Sequence, residues 1–195
     1  MKQDNRNIAS DLIESTVRVI ARDGFDKAST RNIAGECGIA DAYIYVHFKD
    51  KDDLFAKAFQ KEDAALAGEV RKYLPILNQS GITNEDRLYF LFSQTWMHLI
   101  AYPDSCRFFV QYYYSPYYPK YSAQEHLERW MPVLEQIKVL FQPGTDMRAA
   151  LRPVLNTMLG QAIKVVSDTS KDRDEIAKKN YELILGMLRT CLLDA

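Results

Sequence analysis

Residues 29–48 read STRNIAGECGIADAYIYVHF and have the pattern of a helix-turn-helix. Ile33, Ala34 and Cys37 are spaced to form the inward face of a first short helix, with Ser29 as its N-cap. Gly38 follows at the point where a turn needs left-handed backbone. We therefore predict a helix over about 30–37 that stops at a glycine turn.

The second helix of the motif is predicted over about 41–48. Ile39 is placed to plug the turn into the core, and Ile44 and Phe48, four residues apart, point inward. The outward positions, where a recognition helix would meet a major groove, are Ala42, Tyr43, Val46 and His47. An ordinary αα-hairpin shares this pattern, so the segment alone leaves both interpretations open.

Helical periodicity continues outward from this stretch in both directions, and no pair of alternating strands is evident. One helix ends near Asp23 before Gly24, and a long amphipathic helix covers 51–74 with Asp50 as its N-cap and Pro75 at its end. The fold class is predicted to be all-α with about nine helices. Further helices are expected at roughly 84–101, 104–114, 123–141, with a kink at Pro132, and at 147–167 and 172–193.

Composition restricts the class of protein. The chain has 195 residues, 47% hydrophobic, with 25 basic and 26 acidic side chains, which suits a globular domain rather than a disordered chain. No run of apolar residues is long enough to span a membrane, and the polar N-terminus does not suggest a secretory signal. Three widely spaced cysteines fit a reduced compartment. We expect a cytoplasmic protein that does not act at a membrane.

From Leu12 to Phe59 the sequence resembles the TetR family of bacterial transcriptional regulators. The segments that carry the resemblance are Ile20-Ala21-Arg22-Asp23-Gly24-Phe25, Ser29-Thr30-Arg31-Asn32-Ile33-Ala34, Cys37-Gly38-Ile39, Ile44-Tyr45-Val46-His47-Phe48, Lys51 and Asp53-Leu54-Phe55. The resemblance implies a three-helix DNA-binding head at 1–50, a linking helix at 51–74 and a helical ligand-binding and dimerisation domain at 75–195.

The resemblance also assigns roles by position. Ser29 or Thr30 would contact a phosphate of the DNA backbone, and Arg31 would reach a base. Ala42 and Tyr43 fall where base edges are contacted. The remaining phosphate contacts fall to Tyr45, His47 and Lys51.

Two features depart from the family pattern. Asp41 stands where a polar or basic residue is usual, and we expect it to cap the recognition helix or to accept a hydrogen bond from a cytosine amine. Residues 1–60 hold nine Lys/Arg and ten Asp/Glu, whereas a DNA-binding head normally has a basic surface. An alternative is therefore a protein-interaction adaptor on the same fold with weak or lost specific DNA binding.

The segment 102–121 is rich in aromatic residues, with seven Tyr and two Phe among twenty positions. Packing within the core explains any single one of them. So many neighbouring tyrosines cannot all face one core, so an aromatic-lined pocket for an apolar or aromatic effector is plausible. The candidate ligand-binding residues are Trp96, Tyr102, Phe109, Tyr112, Tyr113 and Trp130.

The last two predicted helices, 147–167 and 172–193, are more apolar than helices that face solvent, and Gly160 and Gly186 would permit close helix approach. The resemblance to the TetR family implies that they pair in a homodimer as a four-helix bundle; burial within one subunit is the alternative. A dimer would place two recognition helices about one DNA turn, roughly 34–36 Å, apart on a palindromic operator.

Enzyme motifs are lacking in the sequence. We find no HExxH, P-loop, GxGxxG or GxSxG pattern, and expect neither a cofactor nor a metal site. His126 beside Glu125 is predicted to form a surface pair. Cys106 beside Arg107 is predicted to be an ordinary buried residue rather than a redox thiol. The missing motifs argue against an enzyme, and the resemblance to the TetR family implies a ligand-responsive transcriptional regulator, most simply a repressor.

Overall fold

The computed structural model describes residues 7–168 and 172–193, which form nine α-helices. The predicted ranges 1–50 and 75–195 thus include residues outside the described part of the chain, namely 1–6, 169–171 and 194–195. The helices are α1 (Ile8–Asp23), α2 (Thr30–Glu36), α3 (Ala42–His47), α4 (Lys51–Tyr73), α5 (Asn84–Ala101), α6 (Pro103–Tyr113), α7 (Ala123–Ile137), α8 (Met147–Ser167) and α9 (Arg173–Leu188).

The all-α prediction is confirmed. Short 3₁₀ segments at Phe25–Lys27, Leu74–Asn78 and Lys138–Leu140 and one π-helical turn at Tyr118–Ser122 join the helices. Within the described residues the β-structure is a single bridge between Phe141 and Leu192.

Helix boundaries follow the local signals of the sequence. Ser29 Oγ accepts a 3.1 Å hydrogen bond from the backbone N–H of Asn32, and an Asp50 carboxylate oxygen accepts one of 2.8 Å from Asp53. Both predicted N-caps are therefore present. Gly38 has a φ of +70° in the turn between α2 and α3, a conformation in which other residues are strained.

The N-terminal head consists of α1, α2 and α3 packed on the start of α4. Ile33, Ala34, Ile44 and Phe48 are buried, as the spacing predicts. The hydroxyl of Ser15, buried on α1, donates a 2.8 Å hydrogen bond to the carbonyl of Ile33. This bond satisfies a buried polar group and fixes α2 against α1.

Helix α4 connects the head to the rest of the molecule, because it packs on α1 at its beginning and on α5, α6 and α7 further along. Leu54, Phe55, Phe59 and Leu66 on α4 are buried. They belong to a cluster of buried side chains that extends from α1 to Leu192. The head and the C-terminal helices thus share a continuous core, and the division at 50 and 74 stays a prediction.

Two helices end earlier than the sequence predicts. Helix α7 stops at Ile137 instead of 141, and α9 stops at Leu188 instead of 193. The reason is that the segments beyond them bond to each other: the N–H of Gln142 donates to the carbonyl of Cys191, and the N–H of Leu193 donates to that of Leu140, both at 2.9 Å. These bonds satisfy backbone groups that helix continuation would otherwise use.

Across the described residues, each helix is too short or too polar to cross a membrane.

Candidate nucleic-acid interface and effector cavity

The outer face of α3 carries exposed side chains above a buried anchor. Ile44 and Phe48 hold the helix to the core, while Tyr43, Tyr45 and Val46 face solvent. Tyr45 is 61% exposed, which is unusual for a ring of this size on a short helix. Ala42 and His47 are exposed on the same helix. The residues predicted to face a DNA groove are therefore brought together on one accessible surface.

The predicted residues of α2 lie at its beginning. Ser29 is exposed, and although its oxygen accepts the capping bond from Asn32, its hydroxyl hydrogen is free to donate to a phosphate. Thr30 is half-buried and Arg31 is exposed. Arg31 lines an open, polar groove between α1 and the helix-turn-helix that also contains Asp41.

The expectation that Asp41 caps α3 through its side chain is wrong. Asp41 occupies the N-cap position, but its backbone is helical (φ −62°, ψ −24°) and its carboxylate makes no capping hydrogen bond. A helical backbone turns the side chain away from the N–H groups it would need to accept from. The carboxylate of Asp41 is thus exposed at the start of the recognition helix.

Several acids of the head are engaged by other parts of the protein. Glu36 on α2 binds Arg22 on α1 at 3.2 Å, and Glu14 on α1 binds Lys61 on α4 at 3.0 Å. Asp52 accepts a 2.7 Å hydrogen bond from the hydroxyl of Tyr121 in the π-helical turn. These contacts partly compensate the negative charges of the head. Helix α3 itself contains no acidic side chain.

Lys51 lies at the first position of α4, immediately after the head. Its ammonium group sits 5.5 Å from the centre of the Phe55 ring. This cation–π contact orients a half-buried lysine beside the recognition helix.

A second feature is an apolar cavity of about 420 Å³ enclosed by α4, α5, α6, α7, α8 and α9. This size is typical of small-molecule sites. Its aliphatic walls include Leu66, Val70, Leu88, Leu91, Leu99, Val133, Leu134, Leu151, Leu155 and Ile184. Its polar or aromatic lining comprises Phe92, Thr95, Tyr113, Tyr118, His126, Trp130, Arg148 and Arg152.

Two of the six predicted ligand residues, Tyr113 and Trp130, line this cavity. Trp96, Phe109 and Tyr112 do not, because they are buried among the helices; Trp96, for example, is 2% exposed. Tyr102 is more than half exposed at the junction of α5 and α6 and faces shallow surface depressions instead. None of these four positions lines this cavity, since a local aromatic count does not reveal which face of α5 or α6 a ring occupies. Their assignment to a ligand site stays a prediction.

The tyrosine-rich segment is divided among several environments. Tyr112 packs on Phe59 with 4.5 Å between ring centres and bonds Ser122 through its hydroxyl at 2.8 Å. Burial raises the pKa of Tyr112 to about 12, and it also raises the pKa of Tyr113 and Tyr118. The cavity hydroxyls of Tyr113 and Tyr118 are thus neutral hydrogen-bond donors at physiological pH.

A buried carboxylate that the sequence analysis did not single out lies behind the cavity wall. Asp63 on α4 is 1% exposed and accepts three hydrogen bonds from α7. His126 Nδ1 and Trp130 Nε1 both contact Oδ1 at 2.8 Å, and Arg129 Nε contacts Oδ2 at 2.9 Å. The three donors at positions i, i+3 and i+4 lie on one face of α7, which is the signal that could have suggested a shared acceptor.

The predicted surface pair of His126 and Glu125 is accordingly wrong. His126 is mostly buried, lines the cavity and binds Asp63, and rings of Phe59, Tyr113 and Tyr118 approach it within about 6 Å. Glu125, one position along, points outward and contacts Gln60 and Arg129. Adjacent positions of a helix face different directions, so sequence neighbours need not pair.

Cys106 is the cysteine that the sequence analysis considered as a redox thiol. Cys106 is buried, and burial raises its pKa to about 12 although Arg107 opposes this, so it is not an activated thiol. Over residues 7–168 and 172–193, no group of three or more His, Cys, Asp or Glu side chains could hold a metal ion.

The fold and these two sites define a helical protein with an N-terminal helix-turn-helix and an internal cavity. A sequence profile described as "Bacterial regulatory proteins, tetR family" matches residues 12–58. The fatty acid metabolism regulator protein of Bacillus subtilis is 35% identical over 51 residues, 26% of each chain. The nicotine-responsive transcriptional repressor HdnoR of Paenarthrobacter nicotinovorans is 45% identical over 47 residues, 24% of each chain.

Solved structures extend the likeness to the whole fold. The fatty acid degradation regulator FadR of Bacillus halodurans superposes with a TM-score of 0.74 at 22% identity, covering 96% of this chain and 99% of that one. FadR of Bacillus subtilis in complex with stearoyl-CoA has a TM-score of 0.72 at 20% identity, covering 91% and 98%.

Over residues 12–58, which include the helix-turn-helix, the chain is similar to the tetR family of bacterial regulatory proteins. The sequence likeness covers only about a quarter of the length of the two curated relatives named above. Similarity over the other helices is one of fold.

Proposed function

We propose that the protein is a dimeric, ligand-responsive transcriptional regulator, acting as a repressor that a small molecule releases from a palindromic DNA operator. The observation that carries the proposal is the position of α4, which begins beside the recognition helix and then forms part of the cavity wall through Leu66 and Val70. One rigid element therefore touches both sites.

The DNA-binding half of the proposal rests on the exposed surface of the head. Ser29, Thr30, Tyr45, His47 and Lys51 supply donors for phosphate oxygens. The base contacts are assigned to Arg31, Ala42 and Tyr43, of which the arginine is suited to a guanine. The exposed carboxylate of Asp41 suits the amine of a cytosine.

The effector half rests on the cavity, whose walls are mostly aliphatic. A volume of about 420 Å³ holds about fourteen non-hydrogen atoms at the ~30 Å³ that a water molecule occupies in the liquid. The related fold of Bacillus subtilis FadR was solved with stearoyl-CoA, a ligand with a long apolar chain. We infer that this chain also takes an effector with a substantial apolar part.

Coupling between the two sites would run through Asp63. Its three hydrogen bonds join α4 to α7, and two of the donors, His126 and Trp130, form part of the cavity wall. An effector that pushes these rings moves the partners of a carboxylate on α4. A ligand that binds one arrangement of α4 better than the other shifts the population of DNA-binding heads.

Dimerisation is proposed through α8 and α9. The outer face of α9 exposes Leu183, which is 55% exposed, and Met187 one turn later, with Gly186 beside them. Apolar side chains at positions i and i+4 on a solvent face are typical of a helix that pairs with a partner. A two-fold axis here would give the two heads a fixed separation on DNA.

The proposal is tested by fluorescence anisotropy of the purified protein with DNA from upstream of its own gene, compared with scrambled DNA at two salt concentrations. Tight binding to the native fragment alone supports a specific regulator. Equal and weak binding to both calls for selection from random DNA, because operators can lie elsewhere. A sequence selected there supports the proposal, and failure to select one contradicts it.

The charge balance of the head favours one second candidate, a protein-interaction adaptor on the same fold. Nine Lys/Arg against ten Asp/Glu in residues 1–60 is unusual for a surface that must neutralise phosphates. A folded dimer that binds no DNA in either assay would support the adaptor.

A further inference from the structure

We propose that the cavity accepts an anionic amphiphile, with its apolar chain among the aliphatic walls and its negatively charged head held by Arg148 and Arg152. The inference rests on the proposed function in one respect, namely that the cavity is the effector site. It adds the chemical class of the effector and the residues that select it.

The two arginines form a pair at the opening of the cavity. Arg148 and Arg152 lie one turn apart on α8, so their side chains share a face of the helix. Both line the cavity and both are exposed, which places them where its interior meets solvent. A head group held there remains partly hydrated while the chain enters the protein.

No carboxylate within the described part of the chain pairs with the positive charge of this opening. Among the described residues that line the cavity, none is a carboxylate. Asp146 caps α8 by accepting the backbone N–H groups of Arg148 and Ala149, and Asp63 is occupied by its α7 donors. The Arg148 guanidinium contacts the sulfur of Met131 at 3.6 Å, and neither arginine has an ion-pair partner within residues 7–168 and 172–193.

Two tyrosines complete the polar end of the cavity. Burial raises the pKa of Tyr113 and Tyr118, and the positive charge of the nearby Arg152 lowers it by a smaller amount. The rings of these tyrosines lie 4.5 Å apart. A guanidinium beside neutral tyrosine hydroxyls is suited to an anionic head such as a carboxylate or the phosphates of coenzyme A, and it disfavours a cationic amine.

The test is isothermal titration calorimetry without DNA, using four ligands that share a twelve-carbon chain: dodecanoate, dodecanoyl-CoA, dodecanol and dodecylamine, each below its aggregation concentration. We expect each anion to bind at least tenfold tighter than the alcohol, and the amine to bind weakest. The ratio of dodecanoate to dodecanoyl-CoA affinity tells whether a carboxylate or the CoA phosphates are the preferred head.

Variants assign the preference to the arginines. The double variant Arg148→Ala/Arg152→Ala is expected to lose at least tenfold in affinity for the anions while its affinity for dodecanol changes less than twofold. The double variant Arg148→Lys/Arg152→Lys should keep part of the anion preference because it keeps the charge. Arg173→Ala, an exposed arginine at the start of α9, is the matched control and should change neither affinity.

Equal binding of alcohol and anions to the unaltered protein, tightest binding of the amine, or no binding of any of the four would overturn the inference. So would an anion preference that survives the alanine double variant. Because no DNA is present, these outcomes are separate from failure of operator binding, which would count against the proposed function instead.

Discussion

The carboxylate of Asp63 on α4 accepts a 2.8 Å hydrogen bond from the indole N–H of Trp130 on α7. The indole ring itself lines the apolar cavity. One side chain is thus in contact with both the cavity and the helix that leads to the N-terminal head. With His126 and Arg129 as further donors, this is the main polar connection across the α4–α7 interface.

Replacing Asp63 by Asn should destabilise the protein by about 3 kcal/mol, because it removes the charge that compensates the mostly buried Arg129 guanidinium. The amide also offers only one oxygen to three donors. The free energy of unfolding in urea measures the loss. In protein that remains folded, we expect the effector to release DNA less effectively, which anisotropy with and without effector detects.

Glu125→Gln is the matched control for this change, because Glu125 contacts the same Arg129 from an exposed position at 3.6 Å. An exposed ion pair of this kind is worth about 1 kcal/mol or less. Equal destabilisation by the two substitutions would show that the burial of Asp63 does not increase its contribution to the free energy of unfolding.

Replacing Arg31 by Ala should weaken operator binding by about 1–3 kcal/mol and relax the preference at one base position. The physical reason is the loss of a guanidinium that can donate two hydrogen bonds to one guanine. Anisotropy against a set of operators changed at single positions measures both effects.

Replacing Tyr45 by Phe should instead weaken binding by about 1 kcal/mol on every DNA sequence, because only a hydrogen bond to the backbone is lost. Tyr45 is exposed, so the substitution should not disturb folding. If both the Arg31 and Tyr45 variants bind as tightly as the unaltered protein, the DNA-contacting surface has been placed wrongly.

Replacing Leu183 by Glu should convert the dimer to a monomer at micromolar concentration, since a charge would be buried in each half of the proposed interface. Analytical ultracentrifugation gives the oligomeric state, and operator affinity should fall with it. Val139→Glu is the control, because Val139 is equally apolar and exposed but lies outside α8 and α9. A Leu183 variant that stays dimeric would refute the α8–α9 interface.

Cys106 should react slowly with thiol reagents in the folded protein and rapidly after unfolding. Burial raises its pKa to about 12, so almost none of it is thiolate at neutral pH. Cys191, which is half-buried near the C-terminus, should react faster in the native state. Ellman's reagent measures these rates, and Cys191→Ser identifies the faster phase.

Stability should decrease as the pH falls through about 6.5, the usual pKa of histidine. Burial lowers the pKa of His98 in the folded state; the charges of Glu69 and Glu62 oppose this and that of Lys72 adds to it. The unfolded chain therefore binds more protons between the two pKa values, and acid favours unfolding. Melting temperatures from pH 5 to 8 should show this slope, and His98→Gln should reduce it. A variant with an unchanged slope would assign the dependence to other groups.

The helix-turn-helix was predictable from the sequence because its determinants are local. The spacing of Ile33, Ala34, Ile44 and Phe48 specifies the buried faces, and Gly38 specifies the turn. Helix caps at Ser29 and Asp50 likewise depend on residues three positions apart. The capping role predicted for the side chain of Asp41 was wrong, because the orientation of this side chain depends on a backbone conformation that the sequence does not reveal.

The cavity was only partly predictable, because its walls come from six helices that are distant in sequence. A high local density of tyrosine suggested a pocket but could not separate Tyr113, which lines it, from Tyr112, which is core. Nothing in the sequence indicated that Arg148 and Arg152 line the cavity, because each is a single exposed position on an otherwise apolar helix.

The sequence by itself determined the helices, most of their caps, and the helix-turn-helix with its likeness to the tetR family, since these follow from periodicities and motifs within a few turns of chain. Tertiary structure alone decided that Asp63 meets His126, Arg129 and Trp130, more than sixty residues away. A buried carboxylate is stable only where donors converge on it. That convergence is set by how α4 and α7 pack, which no local pattern encodes.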